Sequence, residues 1–503
     1  MLYDLSRIHL PMARYQPEHV AIVQGGECVT YGALEARVEG VARRLLGAGL
    51  EPGAHVGLLS GNDHRYVEAL LGTMRAGMVP VPLSDRFPDE RLLYILQHSD
   101  SLALLVAPGC AETGLRMAQT LLSLAVYALG PAEPVPVLAD VAPYPGELPT
   151  IAPDDLSMLA YTSGSTGTPK GVLLTHRGQV WNFRTVAKAL MLDEDDCAIV
   201  AAPLYHKNAG MTLKATLMAG GRLVILEHFD ARTYLEAIRE HGGTFISGVP
   251  AMFSMILRET FDAGHAYDTV RLIQCGSAVV SEQLIAALQA KFPHAFVGDG
   301  YGLTEGGPDV LFSPTWGIRR LGSTGIPLPG VEVRIVRPDG SETDAGEVGE
   351  LLTRNPGVTI GYYKDPERTR ERLRPDGFLH TGDLARRDSE GFVYLAGRAD
   401  DMINVGGEKV YPKEVEEVLL RHPAVHECAV VPVPYGEKGE APVAFVVLKA
   451  RATEAEIRAY GLAHLPAYAH PRRVFLWAAL PTNAAGKVDR TRLRQEARAA
   501  VEG

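Results

Sequence analysis

The chain has 503 residues, of which 46% are hydrophobic and 22% charged, the composition of a soluble globular protein with more than one core. Its formal net charge of −11 excludes a general basic footprint, so no nucleic acid partner is expected, although a local basic site for an anionic ligand is compatible with it. The five cysteines, Cys28, Cys110, Cys197, Cys275 and Cys428, form no C-x-x-C pair, which argues for reduced thiols and against a disulfide framework or a zinc site.

In chain order, MLYDLSRIHLPMARYQ contains Asp4, Arg7 and Arg14 and lacks the apolar run of a signal peptide. No later stretch approaches the ~18 apolar residues of a membrane span, so a cytoplasmic protein is expected. YGALEARVEGVARRLLGAGL predicts an amphipathic helix with Leu34, Val38, Val41, Leu45 and Leu46 on one side, ended by Gly47 and Gly49. HVGLLSGN predicts a buried strand, RYVEALLGTMRAG a helix and MVPVPL another strand. This alternation, from about Tyr31 to Leu226, predicts α/β layers with helices packed on a sheet. From about 321 to 397 the texture changes to short strands, VEVRIV, GEVGELLTR and GFVYLAG, between Gly and Pro turns, which predicts a small β subdomain. The polar GRADD follows. Beyond it a compact α+β unit is expected: helix PKEVEEVLLRH with a stripe of Val415, Val418 and Leu419, strands ECAVVPVP and APVAFVVLK, and helix TEAEIRAYGLAHL. The domains predicted are therefore 1–397 and 398–503, divided near Arg398 to Asp400.

Between these elements lies YTSGSTGTPKGVLLTH, Tyr161 to His176, with glycines and hydroxyls in an unbroken run from Thr162 to Thr168. Backbone N–H groups free of side chains converge readily on an anion, hydroxyls add donors and Lys170 adds a point charge. The loop is not a P-loop, because Pro169 stands where glycine is needed and Gly171 replaces the Mg²⁺-binding hydroxyl. On its own it reads either as a phosphate cradle or as a flexible surface loop.

The loop resembles the phosphate-binding signature of adenylate-forming enzymes: acyl-CoA synthetases, peptide-synthetase adenylation domains and firefly-type luciferases. Other stretches similar to that superfamily occur along the chain in its order: RAGMVPVPL before the loop, and after it PLYHKNAG, CGSA, DGYGLTEGGP, GELLTRNPGVTIGYY, HTGD, GRADDMINVGGEKVYPKEVEEVL and PTNAAGKVDR. The resemblance spans nearly the whole chain and implies a large N-terminal adenylation domain with a small mobile C-terminal lid turning at a hinge, Asp400.

The resemblance also implies roles. Thr162, Ser163, Gly164, Ser165, Thr166 and Gly167 would cradle the β- and γ-phosphates of ATP with Lys170 nearby. Thr304 would hold phosphate, and Glu305 would bind Mg²⁺, a hard cation that prefers oxygen. Asp383 would accept the ribose hydroxyls, Arg398 would contact ribose or phosphate, and Gly276, Ser277, Ala278, Asp299, Gly300, Tyr301 and Gly302 would surround the adenine. Lys487 would reach the carboxylate and α-phosphate from the lid. Gly406, Gly407 and Glu408 would pass the pantetheine of CoA. Tyr205, His206, Lys207, Gly210, Met211, Val249, Cys275, Gly276, Gly302, Gly307 and Pro308 would line the acyl pocket, with His206 gating the carboxylate. Without that context Glu305 is a solvated carboxylate, Asp383 a turn or helix cap, Arg398 a surface arginine, Lys487 an exposed lysine after a turn and His206 a packed histidine.

The function implied is an acyl-CoA synthetase using ATP, CoA and Mg²⁺ with a small-molecule carboxylic acid, aromatic or medium-chain, as a monomer or homodimer. The alternatives are a stand-alone enzyme loading an acyl carrier protein, since GKVDRTRL resembles peptide-synthetase endings, a luciferase-like oxygenase, and a non-catalytic nucleotide binder. PLYHKNAG lacks the aspartate that holds an α-amino group, so an amino acid is not expected. Lys207, if it points inward, would favour an acid with a polar or anionic tail. YAHPRRV departs from the family in having Ala469 where many members have lysine, with Arg472 or Arg473 as the candidate replacement.

Overall fold

The computed structural model describes residues 3–163, 168–260, 267–276, 280, 282–307, 309–315, 318, 320, 322–435, 439–482 and 488–502. The first α/β layer is a parallel sheet ordered Val79–Ser84, His55–Ser60, Ala103–Val106, Ala125–Ala128. Helix Tyr31–Gly47 starts where the Thr30 hydroxyl accepts from the Ala33 amide at 3.2 Å, and it buries Tyr31, Leu34, Val38, Ala42 and Leu45. Val41 and Leu46 are only partly covered. Its neighbour, His64–Arg75, approaches so closely that a Cβ on Gly72 would lie 2.5 Å from Val41 Cβ; the glycine sets that spacing.

The second layer is a nine-stranded sheet: Ile326–Pro327, Leu311–Phe312, Phe296–Tyr301, Leu272–Gly276, Phe245–Gly248, Cys197–Val200, Arg222–Ile225, Val20–Gln24 and Glu27–Thr30. The run from Phe296–Tyr301 to Val20–Gln24 is parallel throughout and apolar, because helices cover it. Chain segments leaving the carboxyl ends of these strands, at Ala201, Val249 and Gly302, come together at one edge, where open α/β sheets bind ligands.

The glycine–hydroxyl stretch belongs to a hairpin. Leu156–Ser163 pairs antiparallel with Pro169–Thr175, setting Thr162 opposite Lys170, and Gly361–Tyr362 adds a third strand. The last strand comes from within the region predicted as a β subdomain. The remaining strands there, Glu332–Val336, Gly349–Arg354, Leu379–Arg387 and Val393–Arg398, do form an antiparallel sheet of their own. HTGD lies inside the third of them.

Beyond Arg398 a short 3₁₀ turn, Ala399–Asp401, leads to helix Pro412–Leu420, strands Val425–Pro434, Glu440–Leu448 and Arg473–Trp477, and helices Glu454–His464 and Arg490–Glu502. Val415 and Leu419 enter a core with Val425, Val430, Ala444 and Val446, whereas Val418 of the expected stripe is only half-buried. The buried partner on that helix is Glu416, which accepts from Arg490 Nη2 and the Val430 amide, both at 2.7 Å. Among the described residues no helix is long and apolar enough to cross a membrane.

Candidate active site

A cleft of about 1420 Å³ runs from the carboxyl edge of the nine-stranded sheet, past the hairpin, to the unit beyond Arg398. Its walls differ in character along its length.

At one end cations gather. The Lys170 ammonium is buried with no hydrogen-bond partner, and burial together with the charges of Arg368 and Arg372 depresses its pKa. Thr162, on the paired strand, donates to Glu305 Oε1 at 3.5 Å, and the Tyr362 hydroxyl donates to the same oxygen at 3.3 Å. Thr304 and Glu305 lie on a 3₁₀ turn, Thr304–Gly306, immediately after the Phe296–Tyr301 strand. Arg368 and Arg372 were not singled out from the sequence. One turn apart on helix Pro366–Arg372, they both reach the cleft, and the Nε of each is buried without a partner. A donor-rich end with an orphaned ammonium is suited to a polyanion. Glu305 offers one carboxylate beside hydroxyls, a fit for Mg²⁺ shared with phosphate oxygens; among the described residues no cluster of His, Cys, Asp and Glu makes a self-sufficient metal cage.

Beside this group, Asp383 accepts from the Tyr301 hydroxyl at 2.5 Å on one oxygen and from Arg398 Nη1 at 3.2 Å on the other. Burial raises its pKa, while Arg398 and the Tyr301 hydrogen bond oppose that shift. Arg398 Nε also bonds Asp400 at 3.2 Å. Gly382, at φ +71°, leaves room for two guanidinium groups: a Cβ there would sit 3.3 Å from both Arg372 Nη1 and Arg398 Nη2. Asp299, Gly300 and Gly302 complete this section. Burial lifts Asp299 to about 7, opposed by Lys413 across the cleft.

A further part of the lining is aromatic and apolar: Tyr66, Phe87, Phe183, Tyr205, Met211 and Val249. His206 caps helix Lys207–Ala219, its Nδ1 accepting from the Asn208 amide at 3.4 Å, and also faces the cleft. It is thus both a packed and a lining histidine. Lys207 and Gly210 line the wall, and Lys207 acts electrostatically on buried Asp309.

Several expected residues are not brought to this cleft. Cys275 is fully buried among the apolar side chains under the sheet. Gly276 is held at the strand end, with Gly300 O at 3.1 Å from where its Cβ would be. Gly307, at φ +82°, packs against Asn182. Gly406, Gly407 and Glu408 form an exposed turn, and the two glycines have nothing within reach of a Cβ. Ala469 is buried, a packing position, while Arg472 and Arg473 are tied to the carbonyls of Ala467 and Ala500. Gly164, Ser165, Thr166, Gly167, Ser277, Ala278, Pro308 and Lys487 lie outside the described residues, as does the side chain of Ser163. Thr482 and Val488, which bracket Lys487, bridge each other and line the cleft.

Residues 12–363 match the family model of the AMP-binding enzymes, and residues 414–487 match that of the AMP-binding enzyme C-terminal domain. A feruloyl-CoA synthase of an Amycolatopsis species is 36% identical over 96% of this chain and 97% of its own length. A sulfoacetate–CoA ligase of Cupriavidus necator is 36% identical over 94% of this chain and 93% of its own. ATP-bound MatB from Rhodopseudomonas palustris superposes with a TM-score of 0.91 at 30% identity, covering 99% of both chains. The chain belongs to the AMP-binding, adenylate-forming enzyme family. Within it the chain is an acid–thiol ligase that proceeds through an acyl-adenylate.

Proposed function

We propose that the protein is a cytoplasmic AMP-forming acyl-CoA synthetase, which joins an aromatic or medium-chain carboxylic acid to CoA and releases AMP and pyrophosphate. The observation that carries this reading is that one cleft holds three kinds of wall: an orphaned ammonium with Glu305, Asp383 with Tyr301 and Arg398, and an aromatic pocket. These suit phosphates, ribose and acyl group respectively. The named relatives act with CoA, which supports CoA as the thiol.

A carboxylate and a triphosphate repel each other, so cations must offset the crowding where they meet. Lys170, Arg368 and Arg372 supply that charge from the chain itself, and Thr162 and Thr304 add hydroxyl donors. Glu305 would hold Mg²⁺, which adds Lewis-acid polarisation of phosphate oxygens when bound. Asp383 fixes the ribose and thereby the α-phosphate, and His206 stands where the carboxylate of the acid enters. In this reading residues 1–397 form the adenylating domain and 398–503 a lid turning near Asp400. Lys487 then serves the first half-reaction, and Gly406, Gly407 and Glu408 the second.

The test is ATP–pyrophosphate exchange and CoA-thioester formation over a panel of acids. Exchange with at least one acid, followed by its CoA ester, is the expected result. A protein that binds ATP but shows no exchange with any acid is a binder, and the reading falls.

A further inference from the structure

Between Asn208 and Ala219 the pocket helix carries a single charge, Lys214. It is 5% exposed. Its side chain leans back one turn over Gly210, where a Cβ would come within 3.4 Å of Nζ, and its ammonium lies 5.1 Å from the centre of the Phe183 ring. Among the described residues it makes no hydrogen bond and no ion pair, and no neighbouring charge acts on it; burial alone depresses its pKa. Lys207, two turns earlier, acts electrostatically on Asp309 instead. A second donor lines the same cleft: Gln179, one turn before Phe183 on helix His176–Ala189, has a buried Nε2 with no partner.

A lone buried ammonium is costly unless an anion meets it. The face of one aromatic ring offsets only part of that cost. The aromatic walls of this section suit the body of an acyl chain, and Lys214 and Gln179, which line the same cleft and make no hydrogen bond through Nζ and Nε2, leave room for an acceptor on that chain.

We propose that Lys214, assisted by Gln179, receives a second anionic group at the distal end of the acyl substrate, so that the enzyme selects acids bearing a carboxylate or sulfonate remote from the reacting carboxyl. This rests on the reading of the cleft as an acyl-adenylate site, and it moves the role of tail receptor from Lys207 to Lys214.

The experiment measures binding by calorimetry, with AMP present, for two matched pairs: adipate against hexanoate, and terephthalate against 4-methylbenzoate. Wild type, Lys214→Met, Lys214→Gln and Lys207→Met are compared. Wild type should prefer the diacid of at least one pair. Either Lys214 variant should reduce that preference by about 10- to 100-fold, the scale of a hydrogen bond to a charged group, while Lys207→Met keeps most of it. Lys214→Met conserves volume and Lys214→Gln keeps polarity, so one folded variant suffices. An unchanged ratio in the folded Lys214 variants overturns the proposal, as does a wild type that prefers the monoacid in both pairs. Turnover separates this from the wider reading. Hexanoyl-CoA formed with no Lys214-dependent selectivity leaves a synthetase and removes the tail receptor. Lys214-dependent diacid binding without ATP–pyrophosphate exchange keeps the receptor and removes the synthetase.

Discussion

Asp383 is a buried carboxylate with a protein donor on each oxygen, Tyr301 and Arg398. Asp383→Ala deletes the acceptor and leaves Arg398 without its buried partner. ATP KM should rise by about 10- to 100-fold, with Tyr301→Phe smaller because the arginine contact survives. An unchanged ATP KM in Asp383→Ala removes the ribose assignment. Lys214 gives a pH signature. Burial holds it at about 8, below its ordinary value of 10.5. For a base depressed on folding, the cost of the buried charge is fully present below the folded pKa. Stability therefore rises with pH between about 8 and the ordinary lysine value. Lys214→Met should melt higher than wild type at about pH 7, and its advantage should shrink towards about pH 10. A pH-independent difference between the two would show that burial of charge is not the cause. Lys214 left a trace in the sequence, one cation in the apolar run GMTLKATLMAG, but composition alone does not say whether such a lysine is inside or at an end. Lys207, beside His206 in PLYHKNAG, is the more conspicuous cation of that stretch.

Elements were legible where their signal is local. The Tyr31–Gly47 helix announces itself by its apolar spacing, and the strand of HVGLLS by its unbroken apolar run. Pairing between distant segments leaves no such mark. Gly361–Tyr362, read as part of the small β subdomain, completes the Lys170 hairpin because register is decided by a partner far away in the chain. The same excursion carries Arg368 and Arg372 to the cleft; their spacing is plain in DPERTRER, but nothing local to that stretch tells that it returns to the hairpin. Strand Leu379–Arg387 offers a test at this scale. Gly382 and Gly391 both have positive φ, +71° and +93°, but only Gly382 is crowded, by the two guanidiniums. Each changed to Ala should cost about 1 kcal/mol or more in chemical denaturation, from backbone strain. Gly382→Ala should also raise ATP KM, by displacing Arg398 or Arg372, while Gly391→Ala should leave it alone. Equal ATP KM values in the two variants would mean that the guanidinium positions do not matter to nucleotide binding.

Across the whole molecule, the unit beyond Arg398 presents Lys413, Thr482 and Val488 to the cleft and the Gly406–Glu408 turn to solvent. If two faces serve two half-reactions, the variants separate them. Lys487→Ala should lower ATP–pyrophosphate exchange by about 10²–10³, the scale for one well-aimed electrostatic donor, yet still convert a supplied acyl-adenylate and CoA. Asp400→Pro fixes φ within the 3₁₀ turn and should do the reverse. Equal loss of one half-reaction in both variants would end the two-face scheme. Arg398 adds a consequence of its own. One guanidinium grips Asp383 through Nη1 and Asp400 through Nε. A nucleotide that takes Asp383 oxygens for its ribose would therefore compete with one arm of a tether whose other arm is Asp400, the proposed hinge. By thermodynamic reciprocity, whatever factor the nucleotide applies to the lid's orientation, the orientation applies to nucleotide affinity. If residues 398–503 are such a lid, it is a gauge of occupancy: AMP affinity in Asp400→Pro should depart from wild type by that same factor, and in an Arg398→Lys background, whose ammonium has no planar fork with which to hold both acids, adding Asp400→Pro should change it no further.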